Sequence, residues 1–132
     1  MDEAEIDDHA HRFVTAFALP SKVGRLNSLR STDEKRTKFR AGLGLMPFRS
    51  DRTTRLSHAD SSPAAVLTRL RDLGAGERCV VFEESREWAG TLDDAVAAVV
   101  GQGYGAVISC LPGRLGYAES ESGERLVLSL DE

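Results

Sequence analysis

The chain has few of the residues on which the commonest enzyme and metal chemistry depends. Two cysteines, three histidines and one tryptophan occur among its 132 residues, and there is no Cys-x-x-Cys pair. The cysteines have neither the number nor the spacing of a disulfide framework or a zinc site. No apolar run approaches the roughly 20 residues that span a bilayer, and the acidic first residues are unlike a signal peptide. We therefore expect a cytoplasmic protein with no membrane partner, no metal and no cofactor.

Charge is abundant but unevenly distributed along the chain. Residues 1–21 carry five acids and one base, residues 22–55 carry ten bases and three acids, and residues 56–132 carry thirteen acids and six bases. Such blocks are typical of a basic binding face, or of basic and acidic parts of one fold that lie against each other. The sequence leaves both interpretations open.

Residues 1–46 show three segments of helical periodicity. The first has one apolar stripe and ends at Pro20; the stripe consists of Ile6, Ala10, Phe13, Val14 and Phe17. Ser21 is expected to cap the second helix, and Ser31 with Glu34 fits a capping box for the third. Residues 47–61 have no period and are predicted to be a loop.

Residues 62–132 combine two further helices with strands. A fourth helix is predicted from Ser62 and Pro63 to just before Gly74, and Thr91 is expected to cap a fifth. Strands are predicted at 78–84 and in three segments after residue 103, the last three forming a meander. The segment 78–111 is predicted to be a right-handed β-α-β crossover that joins two parallel strands.

This element order, α-α-α-α-β-α-β-β-β, predicts one α+β domain over 1–132. It would consist of a helical segment (1–46), a loop (47–61) and an α/β unit with a C-terminal β-meander (62–132). The helical N-terminal half is expected to pack on a mixed four-stranded sheet, with the helices on one face.

The stretch VISCLPGRLGY (107–117) has some features of an active-site loop. A thiolate site for an oxyanion needs a cysteine at a strand end, backbone N–H groups around the anion, an arginine and a helix N-terminus. Cys110 and Arg114 are only four residues apart, and no helix is predicted to follow. The sequence Leu111-Pro112-Gly113-Arg114 fits a β-turn instead. A thiol-dependent enzyme that uses Cys110 and Arg114 is therefore the third and weakest hypothesis.

Two other patterns point away from ligand sites. The glycine-rich stretch GQGYGAV (101–107) follows a helix and precedes a strand, which reverses the order of a phosphate-binding loop. It is expected to end a helix. The pairs Glu5–His9 and Asp7–His11 have helical spacing, but we expect them to be solvated rather than to bind a metal.

The acidic segment EESREWAGTLDD (83–94) is predicted to be a loop between a strand and a helix. It supports the leading hypothesis, a non-enzymatic interaction domain of inhibitor, immunity or adaptor type. Five acids favour a basic protein partner, and tryptophan is enriched in binding hot spots. The alternative role for the tryptophan is a lid over the seam between helix and sheet. The expected partner-binding residues are Glu83, Glu84, Arg86, Glu87, Trp88, Asp93 and Asp94.

The basic block 22–55 supports a second hypothesis, a nucleic-acid-contacting accessory protein. Its arginines and lysines are suited to phosphate contacts, although only Phe39 and Phe48 are available for stacking and no recognition helix is evident. The alternative is solvated charge on a weakly amphipathic helix. The candidate contacts are Arg25, Arg30, Lys35, Arg36, Lys38 and Arg40. No pattern predicts an oligomeric state.

Overall fold

The computed structural model describes residues 2–130 and confirms the α+β class. Its helices are α1 (Asp2–Phe17), α2 (Pro20–Asn27), α3 (Asp33–Gly44), α4 (Pro63–Asp72) and α5 (Leu92–Val99). Its strands are β1 (Thr53–Arg55), β2 (Arg78–Glu83), β3 (Glu87–Thr91), β4 (Ala106–Leu111), β5 (Leu115–Glu119) and β6 (Arg125–Ser129). They form a six-stranded sheet in the order β1-β6-β5-β4-β2-β3, and every neighbouring pair is antiparallel.

The sheet is covered by helices on both faces, whereas the sequence had predicted helices on one face only. Val80 and Phe82 of β2 point into a cluster with α1, α2 and α3, which we call the N-terminal core. Cys79 and Val81 of the same strand point into a cluster with α4 and α5, which we call the C-terminal core. A strand that is buried on both faces has a continuous apolar run in its sequence rather than an alternation of apolar and polar residues. The run at 79–82 is of this kind.

The parallel crossover predicted over 78–111 is replaced by an antiparallel pairing. Residues 84–86 turn the chain back on β2, so that β3 forms a hairpin with it and Trp88 lies opposite Val81. Helix α5 then leads from β3 to β4, which also pairs with β2 in the antiparallel sense. Strands β3 and β4 therefore run in the same direction on either side of β2.

The two additional strands are the edges of the sheet. Strand β1 lies within the predicted loop 47–61 and pairs with β6, with Thr53 opposite Leu128. Strand β3 lies within the acidic segment 83–94, which was predicted to be a loop. Both strands are short, and neither EWAGT nor TTR has the apolar alternation by which a strand is recognised.

The helix termini agree closely with the sequence pattern. Ser62 and Thr91 each accept a hydrogen bond from the backbone N–H three residues further on, as predicted. The cap of α3 is Thr32 rather than Ser31, and α2 already begins at Pro20.

Helix α1 is fixed on the sheet by two close contacts. A Cβ atom at Gly116 of β5 would lie 2.8 Å from the Phe13 ring, so only glycine allows this approach. His9, which was expected to be solvated, is only 6% exposed, and its Nδ1 lies 2.8 Å from the Ser109 hydroxyl. Burial lowers the pKa of His9. The imidazole is buried because α1 lies directly over β4.

Candidate functional site

The acidic segment and the basic block lie against each other across β3 and α3. The Glu87 carboxylate accepts two hydrogen bonds from Arg30, at 2.7 and 2.9 Å, and one from Arg40 at 3.0 Å. The three side chains are only 9–12% exposed. Burial by itself would lower the pKa of Arg30, but its hydrogen bonds to Glu87 and Asp7 outweigh that effect and raise it. We call Arg30, Arg36, Arg40 and Glu87 the charge cluster.

Three of the six residues predicted to contact nucleic acid belong to the charge cluster. The Arg30 guanidinium also lies over the Phe39 ring, 4.8 Å from its centroid. Arg36 pairs with Glu3 at 3.3 Å and with Asp33 at 3.1 Å. The remaining contacts, Arg25, Lys35 and Lys38, are exposed, and none has an acidic partner within 4 Å in the part of the chain that the structure describes.

Glu83 is bound on the opposite face of the hairpin. Its carboxylate accepts hydrogen bonds from Arg86 Nε at 2.8 Å, from the Trp88 indole N–H and from the Tyr104 hydroxyl. Burial raises the pKa of Glu83, but these three hydrogen bonds more than offset that effect and hold it below its usual value. Trp88 packs half-buried against the C-terminal core, beneath the Arg86 guanidinium. This position corresponds to the lid role that the sequence left open.

The predicted partner-binding residues therefore do not form one surface. Side chains alternate along β3, which sends Glu87 towards α3 and Trp88 towards α5. Of the other acids, Glu84 and Asp94 are exposed, and Asp93 forms an ion pair with Arg71 at 3.0 Å. Docking of a basic partner at this segment stays a prediction. Fewer carboxylates are available to such a partner than the segment contains, because some already form internal contacts.

Cys110 is buried and has the properties of a packing residue. It is 3% exposed, and burial raises its pKa, as it raises that of Cys79 to about 12. The following residues form the expected turn, with Gly113 at a φ of 72° and a hydrogen bond from the Arg114 N–H to the Leu111 carbonyl. A thiolate at Cys110 is thus disfavoured at neutral pH, which weakens the thiol-enzyme hypothesis.

The glycine-rich loop 101–107 surrounds a carboxylate of the chain itself. The N–H groups of Gly101 and Gly103 donate to the two oxygens of Glu119, at 2.9 and 3.3 Å. Glu119 is 1% exposed and also accepts a hydrogen bond from the Tyr117 hydroxyl at 2.8 Å. Burial and this hydrogen bond raise the pKa of Tyr117. No sequence motif marks this buried carboxylate; the spacing of two within a strand was the available signal that Tyr117 and Glu119 share a face.

An apolar groove lies between α2 and α3. Its volume is about 670 Å³, within the range of roughly 300–1,000 Å³ typical of ligand pockets. Three cations stand on its walls, Lys22, Arg25 and Lys38. The other eight lining residues are uncharged: Leu19, Leu26, Leu29, Ala41, Gly42, Leu45, Met46 and Pro47. Leu45 is 83% exposed. We call this feature the α2–α3 groove.

The end of the groove is held in a strained backbone conformation. Met46 has a φ of 56°, a left-handed value that costs a non-glycine residue about 1–2 kcal/mol. The Met46 N–H donates to the Leu43 carbonyl, and the Met46 carbonyl accepts from the Phe48 N–H. The segment 45–47 is therefore fixed by hydrogen bonds, and it turns Leu45 outward into water.

Comparison of the chain with family models, curated proteins and solved structures finds no match. Within residues 2–130, His, Cys, Asp and Glu side chains do not gather in threes or more as a metal site would require. No helix in that range is both long and apolar enough to cross a membrane.

Proposed function

We propose that this protein is a non-enzymatic interaction domain that docks a protein partner through the α2–α3 groove. The observation that carries the proposal is the exposure of Leu45 beside a groove that is lined mainly by apolar residues. Large apolar side chains gain free energy on leaving water, and grouped apolar surface marks interaction sites. The rigid backbone of 45–47 supports the same conclusion, because a preformed surface loses little conformational entropy on binding.

The proposal keeps the class of function predicted from the sequence but uses a different surface. Glu83 and Glu87 are bound by internal hydrogen bonds, so a basic partner that used them would first have to break those bonds. The α2–α3 groove needs no such rearrangement.

A photo-crosslinking experiment tests the proposal. Leu45 is replaced by a benzophenone amino acid in cells of the native host, and the cross-linked protein is identified and then purified separately. The matched control carries the same substitution at Leu130, which is also exposed but does not line the groove. We expect the purified partner to bind wild-type protein and Leu130→Ser equally, and to bind Leu45→Ser at least about tenfold more weakly. Equal binding to Leu45→Ser would refute the proposal.

Nucleic-acid binding is the second candidate, supported by Arg25, Lys35 and Lys38, which are exposed and have no acidic partner within the described range 2–130. Against it, Phe39 and Phe48 are buried in the N-terminal core and are not available for stacking. Titration of labelled single- and double-stranded DNA and RNA at about 50 mM and about 200 mM salt tests it. Binding that is strong at low salt and lost in a Lys35→Glu/Lys38→Glu variant would favour this candidate over protein docking.

A further inference from the structure

We infer that the occupant of the α2–α3 groove is an acidic amphipathic α-helix of a partner protein, an inference that rests on the proposed function. Apolar side chains of that helix would fill the groove, and its flanking carboxylates would pair with Lys22, Arg25 and Lys38. Shape and charge support this occupant separately.

The shape of the groove suits a helix. Its walls are two helices, and Ala41 of α3 is small, which leaves room for a third helix to approach the groove. Gly42 instead lets α2 and α3 approach each other, since a Cβ atom there would lie 3.0 Å from Leu26 Cδ2. An amphipathic helix presents apolar side chains at intervals of three and four residues, which is the usual way in which a helix binds in a groove.

The charges of the groove select an acidic partner. Lys22 and Arg25 lie on α2 and Lys38 lies on α3, so cations stand on both walls, and no acid of the described chain lines the groove. Among residues 2–130, none of the three has an acidic partner within 4 Å. A helix with carboxylates on both sides of its apolar face would pair with all three, whereas a basic helix would be repelled.

Two other occupants fit less well. A fatty acid has one carboxylate and would leave two of the three cations unpaired. Outside the groove itself, a second copy of this chain would bring no apolar helix face that is free within residues 2–130, because the apolar stripes of its helices are buried in the N-terminal and C-terminal cores. Two grooves placed face to face would also oppose six cations without a counter-charge.

Two designed peptides test the inference. Each has about 18 residues, five turns of helix, with leucine at positions i, i+3, i+4 and i+7. One carries glutamate on both flanks of the leucine face, and the other carries lysine at the same positions. Titration of the ¹⁵N-labelled full chain with each peptide gives the affinity, and the amide shifts locate the binding site.

We expect the glutamate peptide to shift amides of α2, α3 and residues 45–47 and to bind at least about tenfold more tightly than the lysine peptide at about 50 mM salt. The preference should shrink at about 500 mM salt. The triple variant Lys22→Glu/Arg25→Glu/Lys38→Glu should prefer the lysine peptide. A control triple reversal at Lys35, Arg55 and Arg71, which are exposed and do not line the groove, should keep the original preference.

Three results would overturn the inference: no binding of the glutamate peptide at about 1 mM, equal affinity for both peptides, or an unchanged preference in the triple variant. Displacement of the glutamate peptide by equimolar laurate would assign the groove to a fatty acid, and dimerisation through these helices would assign it to a second copy. If the cross-linked partner still requires Leu45 while any of these results holds, the docking function stands and only the acidic helix is wrong. If Leu45→Ser changes neither partner nor peptide binding, both proposals fail.

Discussion

Replacement of Glu87 by glutamine is the most direct test of the charge cluster. The substitution keeps the size of the side chain but removes the negative charge that faces Arg30, Arg36 and Arg40. Arg30 would keep Asp7 at 2.6 Å, whereas Arg40 would keep only neutral acceptors, the Thr37 hydroxyl and the Glu84 carbonyl, both at 3.3 Å. The variant therefore leaves positive charge in a largely buried site without its principal counter-ion.

The expected cost follows from the exposure of these side chains. Removal of one partner of a buried ion pair costs about 3–5 kcal/mol, whereas exposed pairs contribute less than about 1 kcal/mol. With 9–12% exposure, some water reaches the cluster, so we place Glu87→Gln near the lower end of the buried range, at about 3 kcal/mol. For a chain of this length that corresponds to a fall in Tm of about 12 °C.

Urea unfolding followed by circular dichroism measures this cost. Glu84→Gln is the matched control, because it changes the same residue type in the same hairpin where the side chain is exposed, and we expect it to cost less than about 0.5 kcal/mol. A double-mutant cycle with Arg30→Met isolates the coupling between Arg30 and Glu87. If Glu87→Gln is no more destabilising than Glu84→Gln, the charge cluster is a surface ion pair and our account of it is wrong.

Three further predictions concern other buried groups. Tyr117→Phe removes a buried hydrogen bond to the Glu119 carboxylate and should cost about 1.5–3 kcal/mol in urea unfolding; a cost below about 0.5 kcal/mol would contradict the burial of Glu119. Burial lowers the pKa of His9 below its ordinary value of 6.5. The neutral form of His9 therefore contributes stability above pH 6.5, and this stability is lost as the pH falls from 6.5 through the pKa of His9 in the folded state. His9→Asn should therefore lose less unfolding free energy than wild type between pH 7.5 and pH 5.5, and parallel curves would show that His9 is not buried as described. Cys110 should react with a disulfide reagent only as fast as the protein unfolds, and reaction of the native protein at the rate of a free thiol would revive the thiol-enzyme hypothesis.

The parts of the fold with strong local signals were predictable from the sequence. Helix α4 has Ser62 at its cap, Pro63 in its first turn and Gly74 just past its end, and the structure places all three as the pattern indicates. Strand β3 has no such signal. Its sequence EWAGT is stabilised by pairing with β2 rather than by a pattern of its own, and its omission caused the error in the direction of β4.

The candidate site could be predicted only in part. The charge blocks indicated either a binding face or an internal match. The internal match holds for Arg30 and Glu87 because the connection between α2 and α3, which carries Arg30, lies against β3, a contact that one sequence does not reveal. The α2–α3 groove was missed for a different reason. Helix α3 offers only Phe39 and Leu43 to the core, so the sequence pattern predicts a mostly solvated helix and gives no sign of a groove beside it. A groove forms where two packed helices leave a space between them, and the periodicity of apolar residues in a sequence does not predict such a space.

The pairing of β1 with β6 has a consequence for how the protein is made. Ribosomes release the N-terminal part of a chain first, so α1, α2, α3 and β1 emerge well before the strands on which they pack. Phe13 and Phe39 have their sheet partners in β5 and β2, and β1 has no neighbour until β6 has left the exit tunnel. Such a high contact order slows folding and prolongs the time during which apolar helix faces are exposed. We therefore expect chaperones to bind the nascent chain until its last strand is synthesised.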